Sequence, residues 1–248
     1  MAAMAAFRTL WAALVGLYDE TLVLLAGNIA AVILNLPIAV LVLLLGLPTG
    51  LVWTTDGFNV LFLTVLGTVG TLLPTPGNVG LAGLTQVAAG PDVPRFADFR
   101  ETLAHRWALG ARCSLVSIVV LGVLAWNVTF YFGLGTSWAL FVTIFWSYAS
   151  LFWLSLHIYL VPLIVHVAEP RLLDLYRRAA FIALGHAPYT LLLLVVLLVV
   201  AFAAVVFLPV YVLVAAAFVS LAQAHALREI RRRHGDLPAE QEEEVSRL

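Results

Sequence analysis

The chain contains no lysine, which excludes Schiff-base chemistry and a lysine general base. Its single cysteine, Cys113, cannot close an intrachain disulfide and has no second thiol for a cysteine metal site. It reads as a small apolar residue within a helix. Charge of either sign is scarce, at 11% of residues against 63% hydrophobic. Ordinary soluble domains are roughly 25% charged, so with a mean hydropathy of +1.04 the chain is not a water-soluble globule. From Ala179 to Leu227 there is no Asp, Glu, Lys or Arg at all. One helix of that length would measure about 74 Å, far more than a bilayer, so the stretch must fold back. Motifs are missing too: there is no phosphate-binding P-loop, no HExxH and no Gly-x-Ser-x-Gly elbow. Nothing resembles a nucleic-acid surface beyond three consecutive arginines, Arg231 to Arg233. The N-terminal apolar stretch is too long for a cleaved signal and no small-residue cleavage site follows it.

What is present is a one-sided distribution of arginine. Arg8 is followed by Arg95, Arg100, Arg106 and Arg112, then Arg171, Arg177 and Arg178, then Arg228, Arg231, Arg232, Arg233 and Arg247. The intervals between clusters are long and apolar, each read as a pair of crossings whose far link carries no Lys or Arg. The positive-inside rule then predicts six spans with both termini cytoplasmic. The expected fold is all-α, a polytopic membrane helical bundle with interfacial amphipathic helices.

The spans are expected at about 21–46, 58–73 with a continuation at 78–89, 113–132, 138–167, 179–206 and 210–227. A charged cytoplasmic tail, 231–248, follows the transmembrane domain. Residues 7–18 precede the first span as an interfacial helix, with Trp11 and Tyr18 at headgroup level. Pro74-Thr75-Pro76-Gly77 must interrupt helix hydrogen bonding. The break either lies inside a long second crossing or marks its inner boundary, and the boundary reading is preferred, with 78–89 as an interfacial helix. Residues 90–111 are the most polar internal stretch, with Asp92, Asp98 and Glu101 among Arg95, Arg100 and Arg106. Phe96, Phe99, Leu103 and Trp107 recur there at helical spacing, which predicts an amphipathic helix on the cytoplasmic surface. The turn between the last two spans is placed at Phe207-Leu208-Pro209. No internal repeat is apparent, so an inverted-repeat transporter is not supported.

No Asp, Glu or Arg lies deep in an expected span, which counts against a proton-coupled pump. The polar groups that do lie there are Asn28 and Asn35, seven residues apart on one face, then Thr68 and Thr71, then His157. Interhelical hydrogen bonding is the ordinary explanation for each. The alternative is a polar path through Asn28, Asn35, Thr68, Thr71 and His157. His166 and His186 could meet near the inner face, but with no third ligand they do not make a metal site. No cofactor is expected. An enzyme at the inner interface would have only Asp98, His105 and His166 to work with.

Some segments carry a family resemblance. Pro74-Thr75-Pro76-Gly77 through Ala82 and Leu84, followed by Phe96-Ala97-Asp98-Phe99-Arg100, resembles the YesL-type bacterial membrane proteins, a family of unknown function. Tyr159 with Pro162-Leu163, and Arg178-Ala179 with His186-Ala187-Pro188-Tyr189-Thr190, look like that family's fourth-to-fifth helix region. The resemblance implies an accessory role beside carbohydrate-uptake ABC transporters. It makes their subunits the expected partners alongside the lipid bilayer. The expectation is therefore a non-enzymatic membrane component that touches its partner through Phe96, Asp98, Phe99 and Arg100. An independent permease and an interfacial enzyme are the alternatives.

Overall fold

The computed structural model of the protein describes residues 2–46, 67, 70–168 and 171–233. Every element among them is helical. In chain order they are α1 (Ala2–Asp19), α2 (Thr21–Gly46), α3 (Pro76–Ala88), α4 (Phe96–Gly133), α5 (Ser137–His166), α6 (Leu172–Gly185) and α7 (Ala187–Val206). A three-residue helical turn, Leu208–Val210, and a π-turn, Tyr211–Ala215, lead into α8 (Ala216–Arg233). Five stretches among the described residues are long and apolar enough to cross a membrane: Thr21–Ile38, Phe96–Gly133, Ser137–His166, Ala187–Ala204 and Tyr211–Arg232. The protein is a helical membrane bundle. The expected link 47–57, most of the expected second span 58–73, Thr68 and the tail beyond Arg233 lie outside the described residues.

The outward faces agree with a lipid solvent. Along α4, Leu115, Val119, Val123, Trp126 and Phe130 are exposed in one stripe, and along α5 so are Trp138, Phe141, Phe145 and Tyr148. In water a patch of this size would drive association. Against acyl chains it is the compatible surface, because lipid tails are as apolar as the side chains that meet them. The tight α4–α5 link is made by Gly135 at φ 65, a left-handed conformation that suits a residue without Cβ.

Three boundaries differ from the sequence expectations, each for a physical reason. First, α4 is one helix of 38 residues, about 57 Å long, so the polar segment and the third span are continuous. Asp98 starts it: its Oδ2 accepts from the Arg95 backbone N–H at 2.7 Å, and no proline or glycine pair interrupts the helix at Ala111. Second, the expected fifth span is divided. α6 ends at Gly185 and α7 begins at Ala187, with His186 at φ −126, ψ 35 between them. Pro188 supplies the reason, since it has no N–H and its ring would clash with the carbonyl four residues back. α6 lies outside the five candidate crossings; it buries Leu175, Ala179 and Ala183 and exposes Leu173, Phe181 and Leu184.

Third, α3 is not a helix resting on a surface. Every residue from Gly77 to Thr85 is buried, and α3 packs against α2, α4, α5 and α8. The Pro-rich break thus lies inside the bundle, beside Ala31 and Asn35 in mid-α2. Glycines permit this centre. A Cβ at Gly77 would stand 2.5 Å from the Ala31 carbonyl oxygen, and one at Gly80 would meet the Phe99 ring at 3.0 Å. Small residues let the backbones approach to van der Waals distance, where dispersion drives helix association in lipid.

Candidate functional site

Two sets of polar groups stand out, and they behave differently. The first set lies within the crossings, and each member makes a bond to another or to backbone, although Asn35 Oδ1 and Gln223 Oε1 have no partner among the described residues. Asn28 serves the π-turn: its Nδ2 donates to the carbonyls of Tyr211 at 3.2 Å and Val212 at 2.6 Å, and its Oδ1 accepts from Ala217 N–H at 2.7 Å. A π-turn leaves backbone groups out of register, and in lipid these need partners. Asn35 Nδ2 donates to Asn78 Oδ1 at 3.0 Å, while Asn78 Nδ2 donates to the Leu73 carbonyl at 2.8 Å, a group freed by the Pro74–Pro76 break. The Thr75 hydroxyl accepts from Asn78 N–H at 3.3 Å and so caps α3. Thr71 returns its hydroxyl to the Gly67 carbonyl at 2.6 Å.

His157 is wholly buried. Its Nδ1 faces the Trp153 carbonyl at 2.9 Å, and its Nε2 lies 2.7 Å from Ser117 Oγ on α4. A carbonyl can only accept, so Nδ1 carries a proton, and Ser117 Oγ also lies 2.8 Å from the Cys113 carbonyl. The Tyr176 hydroxyl of α6 lies 2.9 Å from Ser117 Oγ and donates to the Cys113 carbonyl at 2.9 Å. The ring of Tyr176 stacks on Trp153, with centroids 5.3 Å apart. Gln223 Nε2 donates to the His157 carbonyl at 3.1 Å, joining α8 to the group. His157 thus bonds α5 to α4 within a buried interhelical cluster. The sequence reading overlooked Ser117, Tyr176 and Gln223; no charge or short-range spacing distinguishes them.

The second set gathers at the end of the bundle that carries the arginines. There α3, α4, α5 and α8 line an open cavity of about 610 Å³. Its wall on α4 presents Asp98, Glu101, Thr102, His105 and Arg106, spaced by three or four residues and hence on one helix face. Asp92, His166, Arg228 and Arg231 complete its charged and imidazole lining. The three candidates named for interfacial chemistry, Asp98, His105 and His166, therefore share one cavity. Their bonds go elsewhere: His105 Nδ1 faces the Glu101 carbonyl at 2.8 Å, and Arg231 Nη1 donates to His166 Nε2 at 2.7 Å. His186 is outside this lining, at the α6–α7 break with Nδ1 3.4 Å from the Ile182 carbonyl.

The arginines here also end helices. Arg106 Nη2 donates to the carbonyls of Val167 at 3.0 Å and Ala168 at 3.1 Å, past the end of α5. Arg228 donates to the carbonyls of Ala89 and Gln86 at the end of α3. Cations at helix C-termini complement the macrodipole and the last unbonded carbonyls. Beside the cavity, Glu229 accepts from Arg8 at 3.1 Å and Arg232 at 2.9 Å, tying α1 to α8. Among the described residues, no group of three or more His, Cys, Asp or Glu is arranged to hold a metal ion.

A neighbouring side of the same α4 segment forms a groove of about 820 Å³ with Leu34 and Pro76, lined by Ala97, Arg100, Glu101, Leu103, Ala104 and Trp107, so that Glu101 borders both. This divides the four residues expected to touch a partner. Phe96 and Arg100 are exposed. Phe99 is only 2% exposed and packs against Gly80, so it belongs to the core and is withdrawn from the contact set. Asp98 faces the polar cavity and also closes the start of α4.

Compared with protein-family models, curated proteins and solved structures, the chain matches none.

Proposed function

We propose that the protein is a non-enzymatic membrane component that assists solute transport and works through its arginine-bearing end. One observation carries the reading: Asn28, Asn35 and His157 are buried inside the crossings and bonded between helices, whereas Phe96, Arg100 and Trp107 are exposed together on the opening turns of α4. A permease that moved polar solute would need wettable groups along a path; Asn28, Asn35 and His157 are bonded and buried instead.

The one-sided arginines orient that end toward the cytoplasm of a bacterial inner membrane, with both termini inside and a sixth crossing between α2 and α3. The partner is a transport-protein subunit meeting Phe96, Arg100 and Trp107. Carbohydrate as the transported class rests on the YesL resemblance of the residues quoted above. The test is a mild-detergent pull-down of the tagged protein, read by mass spectrometry. Transporter subunits at stoichiometric yield, lost in an Arg100→Glu, Trp107→Ala variant that still folds, support the reading. A protein recovered alone, with saturable solute uptake in liposomes, would replace it with the permease.

A further inference from the structure

We infer that α6 lies in the plane of the membrane boundary nearer the arginines and binds the headgroups of anionic phospholipids through Arg177 and Arg178. α6 is distinct from the opening turns of α4, which carry the docking reading.

The depth of α6 is set by its bonds to the crossings. Tyr176 donates its hydroxyl to the Cys113 carbonyl of α4 and stacks on Trp153 of α5. At 1.5 Å per residue, about 30 Å of helix separates Cys113 from Gly133, the far end of α4. That is the thickness of the hydrocarbon core, so Tyr176 lies at the opposite boundary from the α4–α5 link. The exposed face of α4 changes at the same depth: Arg112 is exposed just before Cys113, and Leu115 and Val119 are exposed just after it. α6 lies outside the five candidate crossings, and α7 enters one directly after it.

α6 has the three-sided character that such a position demands. Leu175, Ala179 and Ala183, four residues apart, are buried against the bundle. Leu173, Arg177, Phe181 and Leu184 recur at three- or four-residue spacing and form a second, exposed stripe. Arg171, Asp174 and Arg178 form a third, also exposed. One side packs on helices, one is apolar enough for acyl chains, and one is charged and suits water, as in a helix lying along an interface.

Arg177 is the exception within its stripe. Its guanidinium stands 5.5 Å from the centre of the Phe181 ring, between Leu173 and Leu184 along the helix. Acyl chains offer such a cation no partner. An arginine at this depth buries its stem and extends its head to the headgroup layer, where its planar fork matches a phosphate. Charge complementarity selects the lipid. Residues 171–185 hold three arginines against one carboxylate, Asp174, and among the described residues no ion pair includes any of the three. A net negative headgroup is favoured there over a zwitterionic one.

The first test titrates the detergent-purified protein with phosphatidylglycerol and with phosphatidylcholine, read by native mass spectrometry. Phosphatidylglycerol should bind about tenfold tighter at low salt. Arg177→Gln combined with Arg178→Gln should abolish that preference without moving the thermal melt, since both side chains are exposed. Arg95→Gln, at an exposed arginine before α4, should leave the preference intact. The second test labels Phe181→Cys with bimane, in a Cys113→Ala background, and places the protein in phosphatidylglycerol nanodiscs. A lipid carrying a nitroxide near its headgroup should quench the bimane several-fold more than one carrying it deep in the tail, and more than a soluble nitroxide. Equal binding of the two lipids, or a preference that survives the double variant, would overturn the inference. So would a bimane reached only by the soluble quencher, which places α6 in water, or one reached by no quencher, which places it under a protein partner.

Discussion

The interior of the bundle and its arginine-bearing end contain similar chemistry arranged to opposite effect. In the interior, Asn28, Asn35, Asn78, Ser117, Tyr176 and His157 meet partners at 2.6–3.2 Å. At the end, carboxylates line one cavity with guanidiniums that bond helix-end carbonyls and an imidazole. The difference follows from the solvent each region faces. A polar group in hydrocarbon has no water to fall back on and must be satisfied within the protein. Charged groups at a wet boundary can close helix ends and still meet water. A polar residue inside a crossing is therefore weaker evidence for a site here than a charged one at the end.

Substitutions can break this contrast, beginning with the packing that holds the interior closed. Phe99→Ala removes a ring wedged against Gly80 and should cost about 3 kcal/mol, read as a lowered unfolding midpoint in detergent. If Phe99 were instead a partner contact, stability would be unchanged and only the pull-down would suffer. Asn28→Leu should cost about 2 kcal/mol, because the Tyr211 and Val212 carbonyls and the Ala217 N–H lose their partner together. A path-lining asparagine would be replaceable with little effect on stability.

Ser117→Ala should cost about 1 kcal/mol, since His157 Nε2 loses its partner while Tyr176 keeps the Cys113 carbonyl. A double-mutant cycle with His157→Ala checks that the two are coupled. Arg100→Glu sharpens the contrast from the other side: on an exposed residue it should shift stability by less than about 0.5 kcal/mol yet remove any co-purifying subunit.

Much of the architecture was legible in the residues. Thr21 to Gly46 forms one helix as expected, the α4–α5 link falls at Leu134 to Thr136, and the last turn falls beside Pro209. Apolar runs, glycine and proline encode these locally. The break at Pro74 to Pro76 was equally plain, but its location was not. A buried half-length helix and an interfacial one share the same small, mildly polar composition, and only the surrounding α2, α4, α5 and α8 distinguish them. Phe99 was misplaced for a related reason. Phe96 and Phe99 are neighbours on one helix, and the glycine of another helix decides which ring is inside.

The candidate site was half legible. Asp98, His105 and His166 stood out as ionisable groups near one end, and the structure brings all three to one cavity. Arg106, Arg228 and Arg231 were visible only as topology signals, since a count of arginines does not say which ones line a wall.

The sequence by itself determined that the chain is a bundle of membrane helices with its arginines gathered toward one end, because hydropathy and charge act residue by residue against the bilayer. The tertiary structure decided which polar groups are tied into that bundle and which line a cavity. That division depends on contacts between helices distant in sequence, such as Asn28 with the turn at Tyr211 and Ser117 with His157, and no local pattern records them.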